Sequence, residues 1–406
     1  MTRAEPTVGT RWPIVVVLIA GAFTTALNIM IIGPLLTAIA DEFGKSEATT
    51  GQVATLTAAA SGVTALVVAP WMDRWSRRMW LRLECSLLIV GTGISALAPS
   101  FEWLLVGRTV AGIGGAVIFA NCLAATGDLF PDEGLRNRVI GLVSTAATVA
   151  GLLGLPLITQ LEAATNWRWA MASLLVPIAL VLVGTRWLPT GVVAARGPIW
   201  AGWLSDYRGV LARAETVWLL ALMVCQAVVW FAWFIYLGAF AEETHGMGPG
   251  LLSLLFLVGS AGDVIASNVA PVLIRRWGPR HVGAVMAAIL GASLIGVGVV
   301  FTSQASLFVF AAAAGAAGGA LFICASILTL DSYPERRGAV MSLQSAALEL
   351  GGAFGAAGFG AALAVSGDYA ATYRLLGVAA LFALICLVMS ARRAREPRVA
   401  IGVASP

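Results

Sequence analysis

Three ionisable side chains stand deep inside long apolar stretches of this 406-residue chain: Arg108, Asp263 and Glu349. A charged group in apolar surroundings is costly unless it has a partner or faces a cavity. Desolvation also disfavours the charged form of a carboxyl group, so either acid could load and release a proton. These residues are therefore candidates for proton transfer or for binding a charged ligand.

The two acids lie near the middle of their apolar stretches. Asp263 is about 16–20 Å from either end, at ~1.5 Å per helical residue, and Glu349 is about eleven residues from the nearer polar segment. The alternative is a buried acid whose hydrogen bonds serve packing alone. Its possible partners are Ser260, Asn268, Gln344 and Ser345.

Arg108 is about six residues, or roughly 9 Å, inside its helix, so we predict a role in binding substrate or coupling protons. The alternatives are a side chain that extends to the membrane surface or a pair with Glu102. A further acid, Glu84, is only about 8 Å from a helix end. We predict that Glu84 forms local ion pairs, with candidates Arg77, Arg78 and Arg82.

Other chemistry is not indicated. The two histidines, His245 and His281, lie at separate helix ends, which argues against a metal site or a catalytic constellation. No phosphate-binding Gly-x-x-x-x-Gly-Lys-(Ser/Thr) sequence is present. The cysteines fall inside apolar runs and are interpreted as free buried thiols: Cys85, Cys122, Cys225, Cys324 and Cys386. We predict no enzyme, no cofactor and no metal.

The composition requires lipid as solvent, because only 11% of the residues are charged, 59% are hydrophobic and the mean hydropathy is +0.89. A membrane-spanning helix needs about 20 apolar residues. Twelve such spans, numbered in chain order below, are predicted at 12–37, 50–70, 79–98, 102–126, 138–160, 168–188, 215–240, 250–274, 281–302, 305–328, 338–365 and 371–391. The fold class predicted is therefore an all-α membrane protein.

The distribution of basic residues predicts the orientation. If both termini are cytoplasmic, the outer loops hold only the single lysine, Lys45, with Arg168 and Arg374. The remaining arginines, apart from Arg108, lie on the cytoplasmic side, as the positive-inside rule requires. They sit at helix ends, so the net charge of +4 does not indicate nucleic-acid binding. We expect a multi-pass protein of a bacterial-type inner membrane.

Segments of the first half recur about half a chain length later. Residues 74–78 (Arg-Trp-Ser-Arg-Arg) resemble 276–280 (Arg-Trp-Gly-Pro-Arg), and 128–131 (Asp-Leu-Phe-Pro) resemble 331–334 (Asp-Ser-Tyr-Pro). Repeats at one offset predict two pseudo-symmetric six-helix bundles. The predicted domains are bundles at 1–188 and 215–398, a cytoplasmic linker at 189–214 and a tail at 399–406. Residues 200–211 could form an amphipathic helix.

The loop from Ala69 to Arg78 is similar to the signature that the major facilitator superfamily carries between its second and third helices. Asp73, Arg74, Arg77 and Arg78 match it, and Arg108-x-x-x-Gly112-x-Gly114 resembles the family's arginine motif in helix 4. Residues 33–44 resemble the twelve-helix drug:proton antiporter branch, and residues 151–169 resemble the arabinose-efflux-like subgroup. The resemblance covers essentially the whole chain and implies the major facilitator fold.

The resemblance implies roles for several residues. Asp73, Arg74, Arg77 and Arg78 would form a conformational latch, in which Asp73 caps the start of span 11 near Gly338. The alternative is a local pair between Asp73 and Arg77. The layout of the fold also separates spans 8 and 11, so we expect no direct pair between the two deep acids.

The first helix of each three-helix group lines the cavity in this fold. Trp230, Trp233 and Phe234 share one face of span 7, where they suit a flat lipophilic or cationic guest. An aromatic belt at the outer interface is the alternative. Further polar candidates for the cavity are Asn28, Gln52, Asn121 and Gln226. Asn28 cannot titrate, so proton coupling would run through Asp263, Glu349 or both.

Together these features predict a secondary transporter that works by alternating access and exports small organic molecules in exchange for protons. We expect its partners to be a small-molecule substrate, protons and the lipid bilayer, with no nucleic acid, and we expect a monomer. One alternative is an importer or uniporter of a sugar-like or organic-acid solute. Another is a membrane sensor that binds a ligand without transporting it.

Overall fold

A computed structural model of the chain describes residues 8–68, 71–72, 74–190, 203–299, 303–333 and 337–394. The described residues form an all-helical membrane protein, which confirms the predicted fold class. Twelve stretches are long and apolar enough to cross a membrane. They are Trp12–Met30, Glu47–Val68, Arg77–Ala96, Phe101–Leu129, Gly134–Ala164, Trp167–Trp187, Ala214–His245, Pro249–Trp277, Pro279–Val299, Gln304–Ser332, Ala339–Ser366 and Tyr369–Ala394.

Span 1 is interrupted, whereas the sequence predicts one continuous helix. It consists of Val8–Met30 and Ile32–Phe43, with Ile31 between them. Pro34 explains the break, because its ring nitrogen cannot donate the helical hydrogen bond to the carbonyl of Met30. The break follows directly after the apolar stretch Trp12–Met30, in the outer part of span 1.

Span 5 is also irregular. An α-helix at Glu133–Val149 leads into a π-helical segment at Ala150–Gly154, and α-helix resumes at Leu155–Ala164. Pro156 follows the π-helical segment and lacks the hydrogen that would bind the carbonyl of Leu152. The widened turn therefore lies where span 5 meets the other half of the molecule.

The packing of the helices repeats with an offset of six spans. Span 2 packs on span 4 and span 3 on span 4, just as span 8 packs on span 10 and span 9 on span 10. Span 1 contacts spans 5 and 6, and span 7 contacts spans 11 and 12. We call spans 1–6 the N half and spans 7–12 the C half. The exact domain boundaries stay a prediction.

The two halves meet along three pairs of spans: 2 with 11, 5 with 8, and 1 with 7. We call the end where span 1 begins and span 12 ends the inner end, and the opposite end the outer end. The contact between spans 5 and 8 is densest in the outer part of span 5 and thins toward the inner end. The halves are thus most tightly joined at the outer end.

Hydrogen bonds reinforce this outer closure. Gln160 of the N half donates to the carbonyl of Pro249 at 3.2 Å and to the hydroxyl of Ser253 at 2.9 Å. The Tyr369 hydroxyl of the C half donates to the Glu47 carboxylate of the N half. The outer mouth of the protein is therefore closed.

The connection between the halves contains a short helix at Trp203–Leu211, within the predicted 200–211. Residues 191–202 of the predicted linker and the whole predicted tail, 399–406, lie outside the described residues.

At the outer end, the exposed ammonium of Lys45 lies 6.0 Å from the centre of the Phe101 ring.

Candidate substrate and proton site

Arg108 is fully buried in the N half, with 0% of its surface exposed. Its guanidinium donates to the side-chain oxygen of Asn28 at 3.0 Å, to the Asn28 carbonyl at 2.6 Å and to the Thr57 hydroxyl at 3.3 Å. The Asn28 carbonyl lies just before the break in span 1. Arg108 thus ties span 4 to spans 1 and 2.

The alternatives considered for Arg108 do not hold. Its side chain does not extend to the membrane surface, and the Glu102 carboxylate instead accepts a hydrogen bond from the Ser100 hydroxyl at 2.7 Å. Within the described part of the chain, the partners of Arg108 are neutral. The N half therefore holds a buried positive charge balanced by dipoles alone.

Glu84 is also buried in the N half, with 3% of its surface exposed. The predicted ion pair was wrong, since Arg77 pairs with Asp128 and Arg82 donates to Thr185. Asn121 donates to one carboxyl oxygen of Glu84 at 3.4 Å, and the other oxygen has no partner among the described residues. The partners that these two arginines take, Asp128 and Thr185, come from other spans and are not visible in the spacing along one helix.

Asp263 lies half-buried in the C half, where span 8 faces span 10. Ser267, one turn further along span 8, donates to its carboxylate at 3.2 Å. Gly319 of span 10 lies directly opposite, and a methyl group there would collide with the carboxylate. Glycine at this position gives the carboxyl group room beside span 10. Neither Ser260 nor Asn268 provides the hydrogen bond considered from the sequence, and Asn268 donates to its own helix.

Glu349 lies where the two halves touch at mid-membrane, with 9% of its surface exposed. Ser61 of the N half lies beside its carboxyl group, and Gly62 brings the backbone of span 2 close to the Cβ of Glu349. One carboxyl oxygen has no partner in the described structure. Gln344 binds Ser326 instead. Glu349 thus faces span 2, while Asp263 faces span 10, in agreement with the expectation that they form no pair.

The aromatic residues of span 7 form one cluster. The ring centres of Trp230, Trp233 and Phe234 lie 5.2–5.5 Å from one another, as their spacing along the helix predicts. Trp233 and Phe234 are buried, whereas Trp230 is half-buried and packs against Gly318 of span 10. The burial does not fit an aromatic belt at the outer interface. Trp230 is the member best placed to touch a guest.

The polar cavity candidates are scattered. Gln52 is exposed near the outer end of span 2, and Asn121 is enclosed beside Glu84. Gln226 donates to the carbonyl of Gly318 at 3.4 Å, and its buried oxygen has no described partner. Gln226 therefore lies with Trp230 on the side of span 7 that faces span 10. Asn28 is a partner of Arg108.

The loop between spans 2 and 3 is held within the N half. Arg77 forms an ion pair with Asp128 at 2.9 Å and donates to the Met72 carbonyl at 3.0 Å. Arg78 is partly buried, and the backbone of Arg74 donates to the Trp71 carbonyl at 3.0 Å. Asp73, the acid of the predicted latch, lies outside the described residues, so the latch stays a prediction.

The arrangement separates two kinds of charge. A fixed positive charge is enclosed by neutral hydrogen-bond acceptors in the N half, and two acids in the C half each retain room or an unpartnered oxygen. Such acids can exchange a proton when water or substrate reaches them. Among the described residues, no group of three or more His, Cys, Asp or Glu side chains could hold a metal ion. All five cysteines are buried.

Comparisons with known proteins agree with this architecture. The family model described as Major Facilitator Superfamily matches residues 18–305 and 272–404. The chain is 25% identical over 264 residues to the putative transporter AraJ of Escherichia coli (strain K12), a match that spans 64% of this chain and 65% of AraJ. It is 24% identical over 403 residues to the multidrug resistance protein Stp of Mycobacterium tuberculosis, covering 85% of this chain and 74% of Stp.

A solved structure shares the fold at low sequence identity. The crystal structure of a D-xylose-proton symporter superposes with a TM-score of 0.73 at 16% identity, covering 93% of this chain and 97% of the symporter. At this identity the similarity concerns the fold alone.

Proposed function

Because the chain belongs to the major facilitator superfamily, we propose that it is a proton-coupled exporter of small organic molecules. Transporters of this architecture expose a midplane site alternately to the two sides of the membrane. The closed outer mouth is one of the two states that such a cycle requires. Antiport would draw on the proton gradient, since a charge that crosses the membrane contributes about 2.3 kcal/mol per 100 mV.

The observation that carries this proposal is the position of Glu349. Its carboxyl group lies on the surface of span 11 that meets span 2, and one oxygen has no described partner. When the halves rock against each other, the neighbours of this group change. A proton bound at one stage can therefore be released at another, which links protonation to the direction in which the protein is open.

Asp263 would be a second proton carrier in the same half. It is deep in span 8 but only half-buried, and Ser267 is its hydrogen-bond partner on the same helix. The carboxylate that remains after proton release would attract a cationic or polar guest. Trp230, together with Gln226, would supply a flat apolar face and an amide beside span 10. Arg108 would keep the N half of the cavity electrostatically positive.

Relatives favour different substrate classes. The name of Stp indicates multidrug resistance, which supports export of lipophilic compounds. The neighbouring xylose symporter is named for a sugar, which keeps an importer of a sugar-like solute as the alternative. The aromatic cluster of span 7 favours the first class, because a sugar would require many more polar groups around it.

The test uses everted membrane vesicles that carry a proton gradient and a panel of lipophilic cations, neutral antibiotics and sugars. We expect one class to dissipate the gradient in the natural protein. Asp263→Asn or Glu349→Gln should abolish this effect. Glu102→Gln is the matched control, because Glu102 is an exposed acid that binds Ser100 at the outer end of span 4.

The other outcomes are equally informative. If no compound dissipates the gradient although the purified protein binds one, the exporter proposal is wrong and a uniporter or sensor remains. If dissipation persists in both variants, a different residue carries the proton. If a compound is instead taken up into right-side-out vesicles in a manner driven by the proton gradient, and either variant loses this uptake, the protein is an importer.

A further inference from the structure

A cavity of about 690 Å³ lies on the flank of the C half, apart from the residues described above. It occupies the inner end of the groove between spans 8 and 9. Its walls are apolar and include Leu273, Val285 and Met286, while Arg276 and His281 line the rim. Both spans pack on span 10 and touch each other only slightly, which leaves the groove between them.

The groove faces lipid and not the centre of the protein. Val285 and Trp277 have 54% and 55% of their surface exposed, although both lie in membrane-spanning helices. Exposed apolar side chains at this depth contact acyl chains. The Trp277 ring lies 5.5 Å from the guanidinium of Arg276, so an aromatic side chain stands beside the charge at the membrane surface.

The rim carries positive charge without acidic partners. Among the described residues, neither Arg275 nor Arg276 contacts a carboxylate. The sequence contains no Asp or Glu between Asp263 in span 8 and Asp331 at the inner end of span 10. Within the described part of the chain, these two solvent-exposed guanidinium groups therefore have no carboxylate counter-ion.

The equivalent region of the N half differs. There Arg77 binds Asp128 at 2.9 Å, whereas Pro279 occupies the position in the repeat that corresponds to Arg77. The neighbouring Arg280 is also neutralised, because it contacts Glu215 at 2.8 Å. Arg276 thus differs from Arg275 in lining the cavity, and from Arg280 in having no carboxylate partner among the described residues.

Backbone groups add to the positive rim. Span 9 begins at Pro279 and runs for 21 residues, and its first turn points toward the same inner end. Pro279 has no amide hydrogen and the Gly278 amide donates to the carbonyl of Ile274, so the first-turn amides of Arg280 and His281 are the ones that would favour an anion. A phosphate beside Arg276 and His281 would receive these contacts while its attached chains lie against Leu273 and Met286.

We propose that this groove is a binding site for one anionic phospholipid, with its phosphate at Arg276 and its acyl chains in the cavity. Basic pockets between membrane helices on the cytoplasmic side bind such headgroups. The cavity opens to the membrane beside Val285 and Trp277, so the acyl chains would lie partly in it and partly among the surrounding lipids. The site does not depend on what the protein transports. It would fix spans 8 and 9, and with them Asp263, to the surrounding membrane.

The test measures lipid retention on the purified full-length protein by native mass spectrometry. The probes are phosphatidylglycerol and phosphatidylcholine with the same acyl chains. We expect one phosphatidylglycerol to be retained about tenfold better than phosphatidylcholine, because each arginine near an anionic surface strengthens binding several-fold. Arg276→Gln should remove this preference.

Arg275→Gln is the matched control, since it removes the same charge one residue away but outside the cavity lining. It should weaken retention no more than about fivefold, the loss from one surface arginine. A second variant, Val285→Trp, fills the groove without changing charge and should also lose the lipid. Soluble glycerol 3-phosphate should not compete, because it lacks acyl chains.

Four results would overturn the proposal. Equal retention of the two lipids would show that charge does not select the ligand. Equal losses in Arg275→Gln and Arg276→Gln would indicate general attraction to the surface. Competition by glycerol 3-phosphate, or full retention in Val285→Trp, would mean that a phosphate binds without use of the groove.

Discussion

The two halves share one packing scheme but bury opposite charges. In the N half, Arg108 is enclosed and donates three hydrogen bonds to Asn28 and Thr57. In the C half, Asp263 is half-buried and Glu349 retains an oxygen without a described partner. A guanidinium held by several hydrogen bonds is fixed in place and keeps its proton, whereas a loosely held carboxyl group can exchange one. The fold is thus symmetric while the chemistry is not.

Glu84 is the residue that complicates this contrast, because it places an acid in the N half as well. It differs from the C-half acids in its surroundings. Like Glu349, it has one oxygen without a described partner, but helix packing encloses Glu84 on the contact between spans 3 and 4, away from the surface where the halves meet. We therefore expect Glu84 to have a structural role.

The largest expected effect is a difference in flux between variants of the acids in the two halves. Asp263→Asn should lower proton-coupled flux by about 100-fold, the lower range of what a positioned proton carrier contributes. Glu84→Gln should change flux by less than about twofold, because the amide can still accept the hydrogen bond from Asn121. The rate of substrate-driven dissipation of the proton gradient measures both. Equal losses of flux in the two variants would contradict the proposal that the acids of the C half, and not Glu84, carry protons.

The second prediction concerns the unbalanced charge of Arg108. Asn28→Asp would place a carboxylate at the oxygen that now lies 3.0 Å from the guanidinium. We expect the free energy of unfolding to rise by about 2 kcal/mol, since hydrogen bonds between charged groups are the stronger ones. Thermal or denaturant unfolding in detergent measures the change.

The same substitution elsewhere in the N half provides the control. Asn121→Asp would bring a second carboxyl group against Glu84, and we expect it to destabilise the protein by roughly 1–3 kcal/mol. If the free energy of unfolding rises in Asn28→Asp and falls in Asn121→Asp, the uncompensated positive charge lies at Arg108. A loss of stability in Asn28→Asp would mean that Arg108 already has a balancing charge.

The smallest effect tests the outer closure that joins the halves. Tyr369→Phe removes the hydroxyl that binds Glu47 across the interface, at a cost of about 1 kcal/mol. The population open to the outside should rise about fivefold, as that free energy implies. Labelling of an introduced cysteine, Thr37→Cys, by a membrane-impermeant thiol reagent would report the shift.

Tyr373→Phe is the matched control for the outer closure. The Tyr373 hydroxyl donates to the carbonyl of Trp233 at 3.4 Å, entirely within the C half. Its loss should leave the labelling rate unchanged. If both variants label faster, the effect comes from loosening of the C half and not from the contact between the halves.

Much of this molecule could be predicted from its sequence, because the bilayer imposes a length and a composition on each span. The twelve helices, the repeat and the depth of Arg108 and Asp263 follow from apolar run lengths. The interruption of span 1 was missed, although Pro34 gave a signal for it. Proline inside a long apolar run is tolerated in membranes, so run length alone predicts a straight helix.

The partners of the buried groups could not be predicted. Arg108 meets Asn28, 80 positions earlier in the chain, and Glu349 meets Ser61 of the other half. Both contacts depend on the rotation of each helix about its axis, which a run of Ala, Gly and Val leaves undetermined. Glu84 shows the same limit, since nearby arginines in the sequence point elsewhere in space.

The lone lysine beside Phe101 has a practical consequence for chemical labelling. Lys45 is exposed at the outer end and is the single lysine of the chain. A membrane-impermeant amine reagent applied to one side of a sealed membrane can therefore modify a side chain at that end alone. A fluorophore attached there would sit a few residues from Glu47, so its emission would follow the outer mouth as it opens and closes.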